Sequence, residues 1–194
     1  GELEAELDLN DLHQEGVRHY DMLQGAQKAA CDEILAEVAK SDGDPTKRRC
    51  FDIDGPAGTG KTFLYRTIYQ MLTGIQYRKK VLCVAYSGVA AFLLPNGRTA
   101  HSAFRLKFDM NAEDYDSTLR FQDKYADELR EVDVIIWDEV SMVPKWALSA
   151  VDELFRRLMN NDLPFGGKTM IVGGDFRQVL PVVKKGGRRE IFNA

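Results

Sequence analysis

No stretch of this sequence approaches the roughly 18 to 20 uncharged apolar residues that a membrane-spanning helix needs. Its acidic start, Gly1-Glu2-Leu3-Glu4-Ala5-Glu6, also lacks the basic and apolar regions of a secretory leader. Export and membrane insertion are therefore not expected. Cysteine is scarce: Cys31, Cys50 and Cys83 are odd in number, far apart and part of no C-x-x-C pair. That pattern argues against a disulfide framework or a zinc site and for a reducing compartment, cytosol or nucleus. His13, His19 and His101 show no ligand spacing. An excess of positive charge is missing too: the formal net charge is −4, so the chain as a whole is not built to coat nucleic acid, and any such site must be local. The basic clusters Lys47-Arg48-Arg49, Arg78-Lys79-Lys80 and Lys184-Lys185 with Arg188-Arg189 read as solvated loop faces.

What is present fits one ordinary domain: 194 residues, 44% of them hydrophobic. Residues Gly1 to Tyr20 are acidic and weakly periodic, and read as a loosely held extension. From Met22 to Lys40, Leu23, Ala26, Ala30, Ile34, Leu35 and Val38 recur at helical spacing until Ser41-Asp42-Gly43-Asp44-Pro45 stops the pattern. Short apolar runs suited to buried strands follow at Cys50–Ile53, Val81–Ala85, Val134–Trp137 and Thr169–Val172. Helical stretches at Thr62–Leu72, Gly88–Leu94 and Lys145–Met159 separate them, an alternation that predicts an α/β sandwich around a parallel sheet. The polar, Asp-rich segment from Arg105 to Glu131 is too long for a simple connection and reads as an insertion.

Directly after the first strand comes Gly55-Pro56-Ala57-Gly58-Thr59-Gly60-Lys61-Thr62, which fits G-x-x-x-x-G-K-[ST] and leads into a helix. Gly58 and Gly60 let the backbone curl so that successive N–H groups face the β- and γ-phosphates of a nucleotide, and the helix presents its positive end to the same anion. Lys61 adds a cation, and Thr62 a hydroxyl for magnesium. A chance glycine-rich turn is the competing reading, with a prior of about a few percent in this strand-to-helix context.

The third strand ends in Trp137-Asp138-Glu139. Asp138 is placed to hold a magnesium ion through its water shell, and Glu139 to orient and deprotonate an attacking water. A helix cap would also explain acidic residues there and can coexist with catalysis. The fourth strand runs into Gly173-Gly174-Asp175-Phe176-Arg177-Gln178, where the Gln178 amide is suited to sensing the γ-phosphate.

Taken together, Gly-Pro-Ala-Gly-Thr-Gly-Lys-Thr, the run Asp138-Glu139-Val140-Ser141-Met142 and the run Gly174-Asp175-Phe176-Arg177-Gln178-Val179-Leu180-Pro181 resemble the petite integration frequency (PIF) family of superfamily-one DNA helicases. Ser87-Gly88-Val89-Ala90-Ala91 and Gly97-Arg98-Thr99-Ala100-His101-Ser102-Ala103-Phe104 extend the resemblance, which covers about Leu23 to the last residue. Leu94-Pro95-Asn96-Gly97-Arg98-Thr99 and the Trp137 before Asp138 are similar to the helicase portions of Helitron-type transposons and their eukaryotic relatives.

The resemblance implies a RecA-like P-loop NTPase fold over residues 21–194, a three-layer sandwich with a mainly parallel sheet. It implies ATP and Mg2+ as cofactors, Gln27 reading the adenine edge, and Lys61, Glu139 and Gln178 in catalysis. Gln24 stands where the family often has Asn. Ser87 and Gly88 would touch the backbone of single-stranded or forked DNA, and His101, Ser102 and Phe104 would contact phosphate or stack on bases. Phe104 equally suits a core. The insertion lies where relatives place a strand-separating wedge. A two-domain motor is implied, with 5′ to 3′ polarity. The chain is then expected to be the first half, a monomer working in the nucleus or another DNA compartment and nearly inactive in hydrolysis without the arginines of a second domain. Two other readings stay open: a nucleotide-gated binding module that unwinds nothing, and a ring-forming ATPase.

Overall fold

Each of the four apolar runs forms a strand in the computed structural model, which describes residues 1–55 and 60–175. They are β1 (Cys50–Asp54), β2 (Val81–Ala85), β4 (Val134–Asp138) and β5 (Thr169–Gly174). A two-residue edge strand, β3 (Arg98–Thr99), was not expected; it is too short to carry a periodic signal. The sheet order is β1-β5-β4-β2-β3, and every pairing is parallel.

Parallel strands need crossovers, and the helices provide them on both faces. On β4, Ile135 and Trp137 point to one face, where they join Met170 and Val172 of β5 beneath α5 (Ala100–Phe104), α6 (Lys124–Glu131) and α7 (Lys145–Met159). Val134 and Ile136 point to the other, joining Cys83 and Ile171 beneath α2 (Gly25–Ala39), α3 (Lys61–Thr73) and α4 (Gly88–Leu93). The twofold alternation of side chains along one buried strand thus divides the core into two layers. The fold is the RecA-like α/β sandwich anticipated from the sequence.

The amino-terminal segment differs from expectation. Residues Glu2–Met22 form a long helix, α1, that lies along α3. Its packing face mixes Gly16, His13 and His19 with the partly buried Leu9, Leu12 and Tyr20, so its apolar periodicity is weak. Gly16 lets the helices approach so closely that a Cβ there would sit 3.0 Å from Met71 Sδ. His19 Nδ1 lies 2.7 Å from Gln70 Oε1, and the Ile75 N–H donates to the Leu9 carbonyl at 3.0 Å.

The insertion resolves into irregular chain from Leu106 to Asp123, followed by α6. It is tied back to the core: Ser117 Oγ donates to the Phe104 carbonyl at 2.6 Å, and Tyr125 OH to the Ala103 carbonyl at 2.6 Å.

Phe104 requires a correction. Its ring is fully buried, with its centroid 5.4 Å from Trp137 and 5.8 Å from Phe155, and has no free face for a nucleic-acid base. α5 turns it inward because Ala100, Ala103 and Phe104 share the buried side of the helix. Phe104→Ala is expected to lower folding stability by about 3 to 5 kcal/mol, read as a lower urea midpoint at unchanged slope.

Candidate functional site

Ligands of open α/β sheets bind outside the carboxyl ends of the strands. At that edge the structure gathers Gly55 after β1, Gly173 and Gly174 of β5, Asp138 and Glu139 at the tip of β4, and Ser87 after β2. The Gly55 N–H donates to the Gly174 carbonyl at 3.2 Å, tying the start of the glycine-rich loop to the tip of β5. Pro56, Ala57, Gly58 and Thr59 lie outside the described residues, as does Gln178.

The end of the loop is described. Gly60 adopts the left-handed conformation, φ 85°, and starts α3. A Cβ there would come within 2.8 Å of Gln27 Nε2, so the Gln27 amide of α2 sits beside the loop. Helical geometry then sets Lys61 and Thr62 on the first turn of α3, both partly buried.

Lys61 Nζ lies 3.7 Å from Asp138 Oδ1, with both side chains only 13% exposed. Lys61 and Asp138, far apart in sequence, thus lie side by side. Asp138 Oδ1 also accepts a hydrogen bond from Tyr65 OH at 3.1 Å. Tyr65 is fully buried, and its phenol is held protonated far above the ordinary range, by burial first and by the Asp138 charge second. Tyr65 was not singled out from the sequence. Its signal is its position one helical turn after Lys61, which puts both side chains on one face of α3.

Glu139 is turned elsewhere. Its backbone takes the left-handed conformation, φ 57° and ψ 31°, at the entry to a 3-10 turn over Val140–Met142. For a non-glycine residue that conformation costs on the order of 1 to 3 kcal/mol. Its Oε1 accepts two hydrogen bonds from Ser87, from the N–H at 2.9 Å and the hydroxyl at 2.7 Å. Ser87 Oγ in turn accepts from the Ala90 N–H at 3.2 Å, capping α4.

Gly88, beside Ser87, is exposed. His101 is partly buried, and burial lowers its pKa, which favours the neutral ring. It lies near Tyr86, with ring centroids 6.3 Å apart, so the Ser87 and His101 segments share one surface. Ser102 is exposed, and its Oγ accepts from Arg98 at 3.3 Å. The aromatic partner on this surface is Phe108, which was not picked out from the sequence. Its ring is 90% exposed and stacks on His101 at 4.7 Å, with 5° between the planes. A phenylalanine set between Lys107 and Asp109 in a polar, irregular segment was the available signal.

Residues 22–194 match the model of the PIF1-like helicase family. The chain is 38% identical over 141 residues to the ATP-dependent DNA helicase Pif1 of Bdellovibrio bacteriovorus, covering 72% of this chain and 31% of that protein. It is 37% identical over 132 residues to the ATP-dependent DNA helicase PIF1 of Candida albicans, covering 68% and 14%. Among solved structures, Candida albicans Pif1 helicase superposes with a TM-score of 0.66 at 32% identity, covering 84% of this chain and 34% of that one. Bacteroides Pif1 bound to single-stranded DNA gives 0.63 at 26% identity, covering 88% and 36%. This chain thus spans at most 36% of the length of these relatives. The match runs from α2 through the phosphate loop and the Asp138-Glu139 strand end, and by that match the chain belongs to the PIF1-like helicase family.

Proposed function

We propose that this chain is the nucleotide-binding motor domain of an ATP-dependent helicase that moves 5′ to 3′ on single-stranded DNA. The observation that carries the reading is the approach of Lys61 to Asp138 at the carboxyl edge of the sheet, beside the glycine-rich loop. An ammonium held between a carboxylate and an anion-binding loop is poised to exchange one for the triphosphate of ATP. Bacteroides Pif1 has been solved with ADP-AlF3 and single-stranded DNA, which supports the same pair of ligands here.

The donors suit Mg2+. Thr62 and Asp138 offer a hydroxyl and a carboxylate, hard oxygens of the kind that hold this ion together with substrate phosphates. Among the described residues no group of three or more His, Cys, Asp or Glu forms a cage of its own, as fits a metal that arrives with its nucleotide. When bound, the ion would neutralise charge on the β- and γ-phosphates. Lys61 would bind the phosphates, Gln27 the adenine edge, and Gln178 would sense the γ-phosphate. Glu139 would take the proton of the attacking water, after its carboxylate leaves Ser87.

A second RecA-like domain of the same parent protein would close the cleft and supply arginines to the transition state. Their absence typically costs about 10³ to 10⁵ in rate. Single-stranded or forked DNA would cross the surface formed by Ser87, Gly88, His101 and Ser102, with Phe108 supplying the stacking face first assigned to Phe104. The irregular segment that carries Phe108 would be the wedge. Such a motor would work in a DNA-containing compartment, the nucleus or a mitochondrion.

Lys61→Ala is expected to abolish nucleotide binding by the 194-residue chain in equilibrium titrations. Glu139→Gln should keep that binding and, in a longer protein that carries the proposed second domain, stop DNA-stimulated ATP hydrolysis; normal turnover by this variant would remove Glu139 from the role of base. Equal DNA-stimulated rates for the chain and the longer protein would refute the two-domain account. On the nucleic-acid side, Phe108→Ala should weaken single-stranded DNA affinity by about 1 to 3 kcal/mol in fluorescence anisotropy. Unchanged affinity would take Phe108 out of the path.

A further inference from the structure

Tyr65 is a fully buried phenol whose hydroxyl donates, among the described residues, to Asp138 Oδ1 at 3.1 Å. If only packing were needed, phenylalanine would fill the same space without a buried polar atom. A hydroxyl left unpaired at such a site costs about 1 to 3 kcal/mol, a cost that its bond to Asp138 offsets. The surroundings make room for that oxygen. Gly173 lies opposite on β5, and a Cβ on it would overlap the Tyr65 hydroxyl and come within 3.0 Å of Asp138 Oδ1. Three elements, α3, β4 and β5, are thus shaped around one hydrogen bond.

The geometry separates the roles of the two groups near Asp138. Lys61 Nζ at 3.7 Å is beyond hydrogen-bond distance and free to move toward an anion, whereas the phenol is within it and locked in the core. Once Lys61 turns to phosphate, Tyr65 remains the described donor that fixes the carboxylate's rotation. With Oδ1 so engaged, no described residue donates to Oδ2.

We propose that Tyr65 is a positioning residue for metal binding: by holding Oδ1 of Asp138 from the core side, it presents the other carboxylate oxygen to the water shell of a nucleotide-bound Mg2+. This rests on the nucleotide-binding reading above. Partners that orient a metal ligand typically contribute about 10- to 100-fold to metal affinity.

The test titrates the 194-residue chain with a fluorescent N-methylanthraniloyl ATP analogue, in EDTA and across a Mg2+ series. Each protein then yields the ratio of its affinities with and without metal, and the Mg2+ concentration at half effect. Tyr65→Phe is expected to lower the ratio about tenfold and to raise the half-effect Mg2+ concentration by a similar factor. Tyr65→Met, which also lacks the hydroxyl, should do the same and stands in if the phenylalanine variant does not fold. A pure packing role would reduce the melting temperature, or both affinities alike, while the ratio stayed at the wild-type value. That result overturns the proposal. A wild-type chain that fails to bind the analogue at all overturns the nucleotide reading together with it, whereas wild-type binding that tightens with Mg2+ and an unshifted ratio in the variants overturns this inference alone.

Discussion

The approach of Lys61 to Asp138 depends on a gap in the side chains between them. α3 follows β1, yet β1 pairs with β5 and not with β4, and β5 lies between them. To meet the tip of β4, side chains of α3 must pass over the tip of β5. That tip is Gly173 and Gly174, where a Cβ would strike Tyr65 and Asp138 in the first case and crowd Ser141 Oγ at 3.0 Å in the second. Gly173 thus lets a helix and a strand that are not sheet neighbours share one site, and Gly174 makes room for the turn that follows β4. Both partners are held rigidly: Val134 to Trp137 are buried on the two faces of the sheet, and Leu64, Tyr65, Ile68 and Leu72 anchor α3. The proposed phosphate binding by Lys61 would need that immobility, because close-packed interiors hold their groups in fixed positions. Strain collects where the rigid elements hand over to the site, as at Glu139 with its left-handed backbone.

The parts legible in the sequence are those where one property repeats or where a motif meets its required context. β2 begins and ends where its apolar run does, and α7 spans Lys145–Met159 as its periodicity predicts. β1, β4 and β5 run a residue or two past theirs, into Asp54, Asp138 and Gly174, because ladder pairing is made by the backbone and does not need an apolar side chain. α1 was missed because its contact face sets Gly16, His13 and His19 among only partly buried Leu9, Leu12 and Tyr20, so close approach and a hydrogen bond supplement a weak apolar signal. Phe104 was assigned to DNA through a motif that names residue types; which side of a five-residue helix faces inward is set by packing against Trp137 and Phe155, distant in sequence. Tyr65 and Phe108 were passed over for the opposite reason. Each is an ordinary aromatic whose meaning lies in one neighbour, Asp138 for the first and His101 for the second.

Ser87 joins the two halves of this surface. Its hydroxyl donates to Glu139 while accepting from the Ala90 N–H, and its own N–H is also given to Glu139. A hydroxyl has one proton to donate, so Ser87 Oγ cannot donate at once to Glu139 and to a phosphate of a nucleic-acid backbone. If DNA occupies Ser87 as the proposed function has it, each event changes the free energy of the other. Releasing Glu139 favours DNA on Ser87, and DNA on Ser87 favours a Glu139 able to reach water. Linkage makes that coupling equal in both directions for binding, with no need for a path through the core. The left-handed backbone at Glu139 fits such an arrangement, since a residue held in a costly conformation by two hydrogen bonds has less to lose when they are exchanged.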